Sequence, residues 1–350
     1  AENAKANYDK NTINSRSRLS LLEKTAVVSP RDLKPREHSE KLNYTVFSGY
    51  RSGRKRFGEN SPCEDFAAHY IDDGGAFAIA VCCDGVSDKR CFRADRGAQF
   101  ACSAAIDALK TFFEAYRNGH ISLDRILSDD SAIIKELKKD VALRWGRSVF
   151  RDVESDPIPA PEPPPGLRRS RGSLHRAEDT SSIYATTLNA VAVCKDFAVY
   201  MQVGDGEIMA YLGEGLYVFP LPVDDRIGTA SMHMLINTDG TLSYYSDMLR
   251  PEDKTFRIHF SDTLPLAAYV LTDGISDGFG CSDRLVLLKA LSIVQKDLNT
   301  LADRDRAEGP ARERALPDLL VGGGAALSGS GRQRFGVPRI VVPDDRLGAG

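Results

Sequence analysis

The sequence predicts an α+β fold in which antiparallel sheets are covered by helices. Three observations carry this. Apolar runs of strand length come in clusters, at residues 65–83 and again at 186–212, and not in strict alternation with helices. Two of them, DFAAHYI and AFAIAVCC, are joined by DDGG, a hairpin signal between antiparallel neighbours. Between the clusters the apolar residues switch to helical spacing.

Taken in order, residues 1–40 mix Lys, Arg, Asn, Ser and Glu without periodicity and read as a solvated, disordered arm. The hairpin follows. From Arg96 to Tyr116, Ala101, Ala104, Ala105, Ala108, Leu109, Phe112 and Phe113 recur at helical spacing. DDSAIIKELKKDVALRW is a second helix, with Asp or Ser at its start. Residues 154–182 contain PIPAPEPPPG and LRRSRGSLHRAEDTSS; proline at this density excludes helix and sheet ladder. An interdomain linker and a surface insertion both fit that stretch. TTLNAVAVC, DFAVYMQV and EIMAYL then read as strands, HMLINT and LAAYVLT extend the series, and DRLVLLKALSIVQKDL is helical. The ordered domain spans 41–306, and residues 307–350 form a tail rich in Gly, Arg and Pro.

With 350 residues, 42% of them hydrophobic, the chain can bury a substantial core. A net charge of −3 gives no support for a nucleic-acid or membrane-surface binder. No run approaches the roughly 18 apolar residues of a membrane helix, and the first residues carry no apolar signal core. Seven cysteines without repeated spacing point to free thiols in a reducing compartment, the cytoplasm. There is no Cys-x-x-Cys, no His-Glu-x-x-His and no Gly-x-x-x-x-Gly-Lys loop, which removes zinc chemistry and a P-loop nucleotide site. The sequence specifies no oligomeric state.

Chemistry concentrates in aspartates at strand ends. Asp84, Asp205 and Asp273 each follow an apolar strand and each precede a glycine. Asp65 opens a strand after NSPCE, and Asp239 in INTDG copies the pattern. One strand-end Asp-Gly is ordinarily a turn. Several on one sheet rim would crowd like charges, and a hard divalent cation, Mg2+ or Mn2+, removes that penalty through oxygen ligands. On spacing alone, turn and ion site both stand.

In order, SPCEDF, AVCCDGVSDKRCFRADRGAQFACSAA, YATTLNAVAV with VYMQVGDGEIMAY, and YVLTDGISDGF resemble the metal-dependent protein phosphatase 2C family, its bacterial branch most of all. The likeness runs from Tyr44 to Phe279. It implies one α-β-β-α sandwich, two antiparallel sheets flanked by helices, with the proline stretch as an insertion. It implies hydrolysis of phosphoserine and phosphothreonine in protein substrates by water activated between two Mg2+ or Mn2+ ions. By position, Asp84 would bridge both ions, the Gly85 carbonyl would bind one, and Asp273 would hold the second. Asp65 would act through a bound water, and Asp205 matches the aspartate that helps hold a third, weaker ion in some members. Arg51, Arg54 and Arg56 lie where members carry a substrate arginine, and guanidinium suits a phosphoryl group. Asp239 has no counterpart and reads as a turn residue.

The pattern departs from the family twice. Val86 stands where many members have a histidine after Asp-Gly. The late aspartate expected on a last apolar strand is absent; Asp344 and Asp345 are the only late acidic pair. GRQRFGV, residues 331–337, can be encoded by codons that one nucleotide later read Asp-Asn-Val-Ser, the missing motif. A frame-shifted tail would cost the chain one metal ligand and a core strand. The rival reading is accordingly a non-catalytic member of the fold, a pseudophosphatase acting as a phospho-dependent binding or regulatory module or as a scaffold.

Overall fold

The computed structural model describes residues 42, 44–51, 62–158, 182–221, 235–236, 242–243, 255–278, 291, 322–329 and 339–341. Two sheets dominate. One has the strand order β10-β5-β4-β3-β2 and the other the order β1-β12-β11-β6-β7-β13. The first consists of β2 (Asp65–Ile71), β3 (Phe77–Asp84), β4 (Leu188–Cys194), β5 (Ala198–Val203) and β10 (Phe256–Ser261). The second consists of β1 (Tyr44–Arg51), β6 (Glu207–Gly213), β7 (Leu216–Val218), β11 (Ala267–Leu271), β12 (Gly322–Gly329) and β13 (Arg339–Val341). All pairings are antiparallel except β13 on β7, which is parallel. β8 (Leu235–Ile236) and β9 (Leu242–Ser243) form a separate two-residue pair, all that is described of the HMLINT run and its surroundings.

The hairpin forms as its sequence dictates. β2 and β3 pair from Asp65↔Asp84 to Ile71↔Ala78, and in the turn the Asp72 carboxylate accepts from the Ala76 N–H at 3.1 Å. β3 is apolar on both faces because both are covered. Phe77, Ile79, Val81 and Cys83 face the helices, together with alternate residues of β4 and β5. Ala78, Ala80 and Cys82 face the second sheet, against Ile208, Ala210, Ala268 and Val270. The period-two switch places Cys82 and Cys83 in different layers.

Helix α1 (Ala94–Arg117) and helix α3 (Ser131–Ser155) cover the first sheet, with the short α2 (Leu123–Leu127) between them. The Asp130 carboxylate caps α3 by accepting from the Ala132 N–H at 2.8 Å. α1 contributes Ala101, Ala104, Ala105, Ala108, Leu109, Phe112 and Phe113 to the core, as its spacing predicts. Trp145 of α3 is fully buried and donates to the Gly97 carbonyl at 3.1 Å, locking the helices together. On the far side of the second sheet, Met209, Tyr211, Tyr269 and Leu271 pack under Ile275 of α4 (Asp273–Gly278) and the helical Leu291. The layers therefore run α-β-β-α.

The tail contains ordered strand. Gly322–Gly329 pairs with β1 along its whole length and with β11 on its other side, so it sits inside the second sheet. This corrects the expectation of a missing core strand. A ladder is made by backbone groups, and small Gly, Ala and Ser residues supply them in full. Residues 331–337 lie outside the described residues.

Candidate metal centre

The end of β3 is fixed from both sides. The Asp84 N–H donates to Thr187 Oγ1 at 3.0 Å. Its carbonyl accepts from the Thr187 N–H at 2.8 Å and from the Thr186 hydroxyl at 2.9 Å. Gly85 continues the pairing as an isolated bridge to Thr186 and donates to the Glu64 carbonyl at 3.0 Å. The chain then turns toward α1, whose first residue approaches so closely that a Cβ at Gly85 would stand 2.7 Å from the Ala94 carbonyl oxygen. The turn at Asp84-Gly85 thus needs glycine for room.

Register and topology bring the aspartates to this point. Asp65 is directly opposite Asp84. Asp273 follows β11 in the other sheet, and its side chain hydrogen-bonds Asp84. Asp205, exposed in the turn between β5 and β6, acts on Asp84 through its charge. Burial pushes the Asp84 carboxyl up to about 9; the Asp273 hydrogen bond and the charges of Asp65, Asp273 and Asp205 push the same way. Among the described residues no three Asp, Glu, His or Cys side chains close into a cage for an ion. What these aspartates make, among the described residues, is a concentration of negative charge around Asp84. The donors there, carboxylates with the Gly85 carbonyl beside them, are those a hard divalent cation takes.

Val86 has a packing reason. Its N–H donates to the Ala185 carbonyl at 2.9 Å, and its side chain packs on Cys91, Ala94 and Ala185. Arg51 is the last residue of β1 and pairs with Gly322; Gly324 pairs with Leu271, two residues before Asp273. The Arg51 backbone thus reaches the rim that carries Asp273. Arg54, Arg56, Asp239, Asp344 and Asp345 lie outside the described residues.

Residues that sequence reasoning passed over also shape the site. Thr186 and Thr187 hold Asp84, and Ser87 donates to the Glu64 carboxylate. Asn189 and Gln202 are buried in β4 and β5 below the site, with Arg257 of β10 bonded to Gln202. Their signal was present: an Asn and a Gln interrupt otherwise apolar strands.

No curated protein matches the chain. Solved structures that do match include the serine/threonine phosphatase of S. agalactiae, 14% identical, TM-score 0.42, covering 82% of this chain and 100% of its own. The serine/threonine phosphatase Stp1 of Staphylococcus aureus is 14% identical, TM-score 0.40, with 84% of this chain and 98% of its own covered. The catalytic domain of the serine/threonine protein phosphatase PstP, solved with two manganese ions, is 14% identical, TM-score 0.38, with 82% and 96% covered. The family model described as protein phosphatase 2C matches residues 52–316, which take in Asp65, Asp84, Asp205 and Asp273. With a match over that span, the chain belongs to the protein phosphatase 2C family.

Proposed function

We propose that the chain hydrolyses phosphoserine and phosphothreonine in protein substrates, with two Mg2+ or Mn2+ ions and a third, weaker one. The observation that carries this is the convergence of Asp65, Asp273 and Asp205 on the half-buried Asp84 carboxyl. Asp84 and the Gly85 carbonyl would hold the first ion, Asp84 and Asp273 the second. Asp65 would act through water, and Asp205 would serve the third. Bound ions of this kind supply an activated water and neutralise phosphoryl oxygens.

The chain's own residues do the rest. The Asp84 carboxyl, raised by burial and by its hydrogen bond to Asp273, would have to give up its proton for a cation to bind. The Thr186 and Thr187 bonds keep the Asp84 backbone in place while its side chain changes partner. Arg51, at the rim, is the described candidate for binding the substrate phosphate; Arg54 and Arg56 complete the proposed set. Val86 can neither give nor take a proton, so solvent protonates the leaving oxygen. No phosphorylated enzyme residue is required.

The test is hydrolysis of an aryl phosphate by metal-stripped protein resupplied with Mn2+. Activity is expected, and Asp84→Asn abolishes it. Unchanged activity in Asp84→Asn would reject the site. The rival, a pseudophosphatase that binds phosphorylated partners, draws on the lack of a late metal-binding aspartate in the matching position. It predicts a folded protein, inactive in every metal, that still retains a phosphopeptide.

A further inference from the structure

The sheet registers set Ala67, Cys82, Asn189, Gln202 and Arg257 abreast across five strands, from β2 to β10. The row facing the same way one pleat nearer the strand ends contains Asp65 and Asp84. Ala67 and Cys82 belong to the apolar layer between the sheets. Asn189 and Gln202 continue that row with amides, 0% and 3% exposed. Two buried amides interrupting an apolar layer under a carboxylate rim need a reason.

Their hydrogen bonds supply it. Gln202 Nε2 donates to Asn189 Oδ1 at 2.9 Å and also to the carbonyl of Gly206. Arg257 Nη2 donates to Gln202 Oε1. Guanidinium can only donate, so Arg257 turns the amide oxygen toward itself and the amide nitrogen toward the Asp205-Gly206 turn. Among the described residues the Asn189 Nδ2 has no hydrogen-bond partner, and it crowds the same turn, where a Cβ at Gly206 would stand 2.0 Å from it.

We propose that Gln202, oriented by Arg257, is a positioning residue that holds the Asp205-Gly206 turn and thereby sets occupancy of the weaker third-ion site. This rests on the metal-dependent reading above. Without the Gln202 donor, the Gly206 carbonyl faces an apolar layer unpaired, and the turn lifts to recover solvent. Asp205 then spends less time beside Asp84 and Asp273. Asp84 hangs on Thr186, Thr187 and the β2–β3 ladder, Asp65 on that ladder and Asp273 on the end of β11, and these stay in place.

The experiment titrates metal-free protein with Mn2+ by calorimetry, counts bound ions by electron paramagnetic resonance, and follows amide exchange over residues 203–208. Gln202→Met is expected to weaken the weaker Mn2+ class by about tenfold or more, the size of effect typical of residues behind metal ligands, and to leave the tighter class unchanged. In the same variant, metal-free, exchange over 203–208 rises about tenfold while β4 keeps its protection. Should Gln202→Met fail to fold, Gln202→Glu keeps a partner for Arg257, lacks the donor for Gly206, and carries the same expectation. A folded variant with an unchanged weak class and unchanged exchange overturns the proposal. So does a wild type with no weak class. A wild type that also lacks the tight class overturns the metal-dependent reading itself.

Discussion

Asp65 and Asp84 face each other directly across the β2–β3 ladder, and the second of them is hydrogen-bonded to Asp273 from the opposite sheet. Side chains directly opposed in an antiparallel pair have Cβ atoms about 4.5–5.5 Å apart, and like charges there work against folding. The hairpin is apolar along the rest of β3, so its end carries a cost that packing does not require. A cation bound there would remove that cost.

Metal removal should therefore show in stability. A carboxyl with its folded-state pKa at about 9, above the ordinary 3.8, contributes stability that is whole below the ordinary value. That contribution is lost as pH rises through 9. In chelator, the melting temperature of the wild type should fall between about pH 6 and pH 9. Asp84→Asn, which cannot ionise, should fall less and melt higher at the alkaline end. Mn2+ should raise the melting temperature of the wild type and leave Asp84→Asn unmoved. Parallel pH curves for the two chelated proteins would contradict the argument.

Gly85→Ala should damage the fold as well as the site. The new Cβ would lie 2.7 Å from the Ala94 carbonyl oxygen and 2.8 Å from its carbon, both backbone atoms at the start of α1. Relief requires α1 or the end of β3 to move, at a cost of about 1–3 kcal/mol for overpacking of this kind. Urea unfolding would read it as a lower midpoint at unchanged slope. A midpoint equal to wild type would mean that the turn does not need glycine.

The strand-end aspartates were legible because each marks a sharp break from apolar run to glycine, a signal contained in a few residues. Their convergence was not contained there. It depends on the register of β2 against β3 and on a contact from Asp84 to Asp273 in the other sheet. β10 has a weak signature because FRIHFS is an edge strand with only Phe256 and Phe260 buried. β12 escaped because Gly, Ala and Ser have little strand preference, and its partners β1 and β11 are distant in sequence. Asn189 and Gln202 looked like interruptions, and only the cross-strand row gives them a task.

The two threonines after the insertion should differ in effect. Thr187→Val removes the acceptor of the Asp84 N–H and leaves that donor partly buried with no replacement. An unsatisfied donor of this kind costs about 1–3 kcal/mol. Thr186→Val removes one of two donors to the Asp84 carbonyl, since the Thr187 N–H remains. The cost there is one ordinary hydrogen bond, about 0.5–1.5 kcal/mol. Chemical denaturation should rank Thr187→Val as the more destabilised, and equal losses would contradict the assignment.

The proline-rich stretch should be removable, because its roots are held from within the domain. Arg93, at the start of α1 with its side chain 7% exposed, pairs with Asp152 of α3 at 3.2 Å and donates to the Asp156 carbonyl at 2.7 Å. It also donates to the Tyr184 hydroxyl at 2.7 Å, and Tyr184 donates to Asp152 at 2.6 Å. One guanidinium therefore ties the end of α3 to the chain that re-enters before β4. Replacing residues 159–181 with a short Gly-Ser linker should leave the melting temperature and metal response close to wild type, since loop length costs little once the ends are fixed. Arg93→Met should instead be severe, by about 3–5 kcal/mol, because it leaves the Asp152 carboxylate largely buried without this cation. Arg96, which also reaches Asp152 at 3.0 Å, lowers that figure but does not replace the bond to Tyr184. If the deletion collapses the protein while Arg93→Met is tolerated, the insertion and not the arginine holds this end of the domain.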